Sequence, residues 1–472
     1  MRADLFTPVA ELARGIRAKT ISPVALAEVS LERLETKGRE LNAVATLAGS
    51  EALDRAREAE KEIRAGRWRG LLHGIPYGAK DLLATKTMPT TLGAEPYRNQ
   101  KFGYDATVIQ RLEKAGAILT AKLSMVELAG GMGYNNADAA WNGPGLNAWN
   151  KRYWSGGSSS GPGSAVAAGL VSFAIGSETV GSILTPSAFS GVTGLRPTYG
   201  LVPRHGAMAL CWTLDKLGPM ARSAADCAAV LKAIAGRDPA DATSVDAPKP
   251  ARPDAGRRWK IGVPRAATDW TQPEVAKNFE AAVEVLATFA DVVRDVTLPD
   301  LPFNLMTGPI VGAEGAAAFL DLIESGGLKD LRAKADRVGY SGSLIAAVDY
   351  IQALRLREKA RGPMAKIFSD FDVLVAPTRA TVALPIGTDF DKAYPELAEG
   401  RPKDFVSPIG TLIQAGNAVG FPALSVPSGF GRENLPTALQ FLAGPFREDV
   451  LVQIGRKYQS RTDWHLRRPE GY

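Results

Sequence analysis

Residues 154–183 read WSGGSSSGPGSAVAAGLVSFAIGSETVGSI. A glycine- and serine-rich run leads into an apolar stretch, Ser164 to Leu170, that suits a short helix. A continuous apolar strand follows over 171–175, and the stretch closes on a polar loop, Gly176 to Ile183. A flexible linker is the plain reading of a Gly/Ser run, but a linker seldom leads straight into an apolar helix–strand unit. A phosphate cradle fails on particulars: no GxxxxGK[ST] is present, and GxGxxG would need glycine at Val166. The stretch therefore reads as one unit of an α/β domain with a polar loop at the end of a buried strand, a common place for a site. Backbone N–H groups of Thr179, Val180, Gly181 and Ser182 can converge there as a nest for an oxyanion. Taken alone, the loop reads first as a plain β-turn.

Working outward, the same alternation recurs. Towards the N-terminus, residues 1–65 read as helical hairpin material, with Thr7-Pro8 and Ser22-Pro23 as helix starts. A strand is expected at 43–47 and a helix at 51–65. Then comes Gly74-Ile75-Pro76-Tyr77-Gly78-Ala79-Lys80-Asp81, where Lys80 enters an apolar run. Burying an ammonium costs several kcal/mol as an order of magnitude unless it is paired or neutral. The alternative is a surface lysine at a strand end, paired with Asp81. Helices are expected at 108–114 and from 124, and a strand at 118–122. Towards the C-terminus, strands are expected at 192–195, 260–263, 292–296, 372–376, 423–426 and 438–442. Helices are expected at 273–290, 312–325, 343–368 and 448–459. Residues 238–258, rich in Ala, Pro and Asp, read as an exposed connection. The expected fold is a three-layer α/β/α domain with a large central mixed, mostly parallel sheet. Either the 238–258 connection divides two domains, or one sheet receives strands from a core at about 66–237 and from a C-terminal part at about 259–472.

Composition narrows the function. The 472 residues are 45% hydrophobic and 22% charged, which is ordinary globular composition. A net charge of +6 is spread over interspersed basic and acidic residues, so no nucleic-acid footprint is expected. No N-terminal apolar signal and no long uncharged apolar run is visible, which predicts a cytoplasmic protein without a membrane span. Cys211 and Cys227 have no metal-ligand spacing and read as free thiols. With only His73, His205 and His465, a His-rich metal site is excluded, and none of the three lies in a recognisable Ser-His-Asp motif.

Together, LHGIPYGAKD, the 154–183 stretch, PSAFSGVTGLRPTYGLVPRHG, DVLVAPT and GNAVGFPALSVPSGF resemble the amidase signature family, and the likeness runs over nearly the whole chain. The resemblance implies that the strands after the middle segment join the same sheet, so that residues 1–472 form a single domain, and it implies a triad without histidine. Ser182 matches the nucleophile, Ser158 the relay serine that family members hold with a cis peptide bond, and Lys80 the general base. The amides of Thr179, Val180, Gly181 and Ser182 match the oxyanion hole, and Met132, Gly133 and Leu184 the substrate pocket. The chemistry is consistent: a serine hydroxyl is a weak nucleophile until a neighbour takes its proton, and a lysine does so once burial leaves it a free amine.

Three departures stand out. Val180 replaces the first glycine of the usual Gly-Gly-Ser, and Leu184 and Leu201 stand where many members have Arg. A partly buried carboxylate needs a compensating cation, so the two leucines predict a mainly apolar pocket for neutral substrates, unless Arg196 or Arg204 reaches in. The leading expectation is a free-standing hydrolase of neutral amides, with esters, anilides or carbamates (urethanes) as further substrates. It acts as a monomer or homodimer, with no metal, ATP or other cofactor. The second is the glutaminase subunit of a tRNA-dependent amidotransferase, which liberates ammonia from glutamine for an acylated tRNA. The third is an inactive binding protein on the same scaffold.

Overall fold

A computed structural model describes residues 4–248, 258–333, 338–397 and 408–472. Residues 249–257 of the expected exposed connection lie outside these residues.

Eleven strands form one sheet. In chain order they are β1 (Val44–Leu47), β2 (Pro76–Lys80), β3 (Ile118–Leu123), β4 (Phe173–Glu178), β5 (Thr193–Arg196) and β6 (Lys216–Ala221), then β7 (Trp259–Pro264), β8 (Ala290–Val296), β9 (Val373–Pro377), β10 (Ala423–Phe430) and β11 (Pro436–Leu442). Their spatial order is β1-β3-β2-β4-β6-β5-β10-β11-β9-β7-β8, so strands from both parts of the chain share the sheet. Side chains alternate across it. On β4, Phe173 and Ile175 join the larger apolar core while Ala174 joins a second core on the other face. Helices on the two faces complete the three layers, among them Ser160–Ala167, Ala224–Ile234 and Pro273–Ala287.

The sheet is mixed as expected, but it is not mostly parallel. Parallel pairing is confined to β3–β2–β4 and β9–β7–β8. The other six pairings are antiparallel. The expectation came from helix–strand alternation, which implies crossover connections. It fails where strands follow one another directly, as in the β10–β11 hairpin. It also missed β6, whose Gly218-Pro219 reads as a turn. Here β5 pairs only with Met220 and Ala221, which leaves Pro219 outside that ladder.

Local signals explain the remaining boundaries. The Ser22 side chain accepts the Ala25 amide and Ser223 the Asp226 amide, so both serines cap helices. Pro8 occupies the cap position ahead of Val9–Arg17, so Thr7 does not cap that helix. The helix expected from Ser124 is only a 3-10 turn, Glu127–Gly130, because Leu128 and Ala129 adopt left-handed backbone angles. No helix among the described residues is long and apolar enough to cross a membrane.

Candidate active site

The site lies where β2 and β4 end side by side. The two strands are parallel, with Ala79 opposite Ile175. Lys80, the last residue of β2, is fully buried. Its Nζ donates to Ser158 Oγ at 2.7 Å and to Ser177 Oγ at 2.8 Å. It forms no ion pair among the described residues. The neighbouring Asp81 is occupied by Lys122 at 3.0 Å. Burial pushes the Lys80 amine down to about 7, against the weaker upward pull of Asp215 and Glu178. A lysine in this state is largely a free amine just above neutral pH.

The Gly/Ser run places Ser158 against this lysine. It is an ordered loop, stitched to the end of β4. Ser159 Oγ donates to the Ser177 carbonyl at 3.2 Å, and the Ser159 amide donates to the Ser182 carbonyl at 3.3 Å. The Gly157–Ser158 peptide is cis. Gly156 has φ +88°, and a Cβ there would lie 2.7 Å from Pro186 Cα, so the loop needs glycine at that point.

After β4 the chain turns through Thr179–Ser182 into the helix Leu184–Ser190. Glu178 holds this turn: its Oε2 accepts the amides of Ile183 and Leu184 at 2.8 and 3.0 Å. Its other oxygen binds Arg196 at 2.9 Å and Asn417 at 2.8 Å. Burial alone would raise the Glu178 carboxyl, but Arg196, Lys216 and these hydrogen bonds hold it below the usual carboxylate range. On the other side, Thr179 donates its hydroxyl to Asp215 at 2.6 Å and accepts Lys216 Nζ on its carbonyl at 3.4 Å. Gly181, at φ +93°, supplies the left-handed bend. Val180 fits because its side chain packs, half-buried, on the core.

Ser182 lines a cavity of about 390 Å³ together with Gly157, Val180, Tyr134, Trp154, Phe189 and Phe390. Its hydroxyl makes no hydrogen bond to a described residue, so Lys80 and Ser158 are hydrogen-bonded while no hydrogen bond joins Ser158 to Ser182. Such contacts are often long before substrate closes them. A second cavity of about 330 Å³ touches the other side of the constellation at Ser177 and Thr179.

Lys80, Ser158, Ser182 and the Thr179–Ser182 loop are thus brought together. Met132, Gly133 and Leu184 line neither cavity. Leu184 is fully buried in the helix that follows Ser182, and Leu201 is also buried. Arg196 is sealed against Glu178 and the Phe421 carbonyl. Arg204 is bound to the carbonyls of Trp212 and Asp215 and to Thr243. The charges on the Ser182 cavity are instead Arg379 and Asp391, which no pattern in the sequence singles out. Ser177, Lys80's second partner, was likewise missed, although it lies within the loop quoted at the outset. No histidine lines this cavity; His73 contacts Glu62 at 3.2 Å, far along the chain from the loop.

The amidase family model matches residues 25–452. This chain belongs to the amidase signature family. A glutamyl-tRNA(Gln) amidotransferase subunit of Methylococcus capsulatus is 34% identical to this amidase, over 98% of each chain. The peptide amidase of Stenotrophomonas maltophilia has a solved structure that superposes with a TM-score of 0.82, at 30% identity and 98% of each chain. The corresponding amidotransferase subunit from Thermotoga maritima superposes with a TM-score of 0.75 at 25% identity, over 97% of this chain and 96% of its own. The amidase is an enzyme acting on carbon–nitrogen bonds.

Proposed function

We propose that this amidase hydrolyses carboxamides through an acyl-enzyme on Ser182, and that residues 1–472 form one catalytic domain. The observation that carries the reading is Lys80, fully buried and bonded to two serine hydroxyls with no ion-pair partner among the described residues. Lys80 as a free amine takes the Ser158 proton while Ser158 takes that of Ser182. Ser182 Oγ then attacks the carbonyl carbon. The developing oxyanion is met by the amides of Thr179 to Ser182, and the proton returns along the same path to the leaving nitrogen. Water repeats the sequence on the acyl-enzyme. Ser182→Ala should abolish turnover with the fold intact; a variant that still turned over amides would overturn the assignment.

Two substrate readings stand beside each other. A hydrolase of neutral amides, with esters and carbamates as secondary substrates, is supported by the aromatic cavity wall and by the likeness to a peptide amidase. A glutaminase subunit of a tRNA-dependent amidotransferase is supported by the names of the curated relatives, and those names favour it over the first. In that second reading the chain works with partner subunits on an acylated tRNA, and the expectation of no nucleic-acid partner falls. The test is the purified chain alone against glutamine, an anilide, a peptide amide and a carbamate, then glutamine again with partner subunits and tRNA. Turnover of anilide or peptide amide by the chain alone supports the first reading. Ammonia release from glutamine only in the assembled complex supports the second.

A further inference from the structure

Arg379 stands two residues beyond the end of β9, in the wall of the cavity that Ser182 lines. Its surroundings differ from those of the other arginines near the site. Arg196 is fully buried against a carboxylate and a carbonyl, and Arg204 spends its donors on two carbonyls and two hydroxyls. Arg379 is exposed, and its guanidinium makes no hydrogen bond or ion pair with any described residue. Asp391 lies on the same cavity and does not pair with it. The guanidinium carbon is 5.9 Å from the centre of the Phe189 ring, and Tyr134, Trp154 and Phe390 supply further apolar wall. A planar, weakly hydrated cation with five donors that no described residue takes up, set among aromatic rings, is a receptor for a carboxylate.

We propose that Arg379 receives a carboxylate of the substrate, so that the preferred substrates are amides carrying a carboxylate within the reach of one cavity from the scissile bond. This rests on the reading of Ser182 as nucleophile. It departs from the neutral pocket expected from Leu184 and Leu201, because neither leucine faces the cavity. The chemistry at Ser182 is unchanged; Arg379 acts on binding, and so on KM more than kcat.

The test compares matched anilides: butyranilide, the monoanilide of glutaric acid, with a carboxylate on the acyl side, and 4-(butyrylamino)benzoate, with one on the amine side. Wild type should favour one of the charged members over butyranilide by about tenfold or more in kcat/KM, mainly through KM. Arg379→Gln should bring that ratio to about one, and Arg379→Lys should restore part of it as a point charge. A wild type without preference for either charged anilide, or an Arg379→Gln enzyme that keeps the ratio, would overturn the proposal. Calorimetric binding of the same anilides to Ser182→Ala, with and without Arg379→Gln, reads the receptor without turnover. Binding of a charged anilide that weakens about tenfold on Arg379→Gln supports the receptor even if the Ser182 assignment fails. Equal binding with and without Arg379 overturns it even if Ser182 proves to be the nucleophile.

Discussion

Two lysines lie fully buried on neighbouring strands, Lys80 on β2 and Lys122 on β3. They face opposite sides of the sheet, because Lys122 pairs in register with Ala79 and Lys80 with Leu123. Lys122 Nζ meets the Asp81 carboxylate at 3.0 Å, the Thr90 hydroxyl at 2.9 Å and the Pro89 carbonyl at 3.3 Å. Asp81 is held in turn by the amide and hydroxyl of Thr91. Lys80 meets two serine hydroxyls and no carboxylate among the described residues. Burial pushes both amines down; at Lys122 the adjacent Asp81 opposes that push, whereas at Lys80 only the more distant Asp215 and Glu178 do. On the proposed reading, neighbours decide whether a buried lysine is an ion-pair partner that ties two strands together or a base held ready to take a proton.

The largest expected effect separates the two. Lys80→Met should lower kcat/KM on the best amide substrate by about a thousandfold or more, with circular dichroism and unfolding midpoint near wild type, because a catalytic unit loses its base. Lys122→Met should act on stability, by about 3–5 kcal/mol in urea unfolding, because it strands Asp81 in the interior. Adding Asp81→Asn to Lys122→Met should recover part of that loss. A folded but inactive Lys122→Met beside an unfolded Lys80→Met would reverse the assignment.

A smaller effect sharpens it. Only the unprotonated amine takes a proton, so kcat/KM should fall below about pH 7, tenfold per pH unit, and level off above it. Lys216 is also pushed to about 7, by burial and then by Arg196. Since its one hydrogen bond among the described residues goes to the Thr179 carbonyl and none to Lys80, Ser158 or Ser182, Lys216→Met should leave the limb where it is, whatever it does to the plateau. A limb that vanished with Lys216 would move the titration away from Lys80. The smallest effect is at Ser177. Ser177→Ala removes one of Lys80's two hydroxyl partners, about 1 kcal/mol, and should lower kcat/KM about fivefold.

Much of this was legible in the residues. The 154–183 stretch announced the unit that holds Ser158 and Ser182, and the scarcity of histidine pointed away from a His triad. The pairing of Lys80 with Asp81 was the tempting alternative, and it fails because Asp81, one residue past the end of β2, is taken up by Lys122 and Thr91. The substrate wall was not legible. Arg379 lies about 200 residues beyond Ser182, directly after DVLVAPT, a stretch that marks the family but not the arginine that follows it. Leu184 sits two residues from Ser182, and the helix turn that Glu178 caps carries its side chain away from the cavity. Sequence distance follows the chain, whereas the pocket is assembled from loops that meet only after the sheet has formed.

The proposed activation of Ser182 by Lys80 is read most directly from the pH dependence of Ser182 phosphonylation. The purified protein is treated with a fluorophosphonate, the rate is followed from pH 5.5 to 9, and the modified peptide is identified by mass spectrometry, for wild type and for Lys80→Met. The expected outcome is a single adduct on Ser182 whose rate rises with pH and levels off above about 7, and a slow, flat profile in Lys80→Met. An adduct on another residue, or equal rates with and without Lys80, would contradict the assignment of Lys80 as the base.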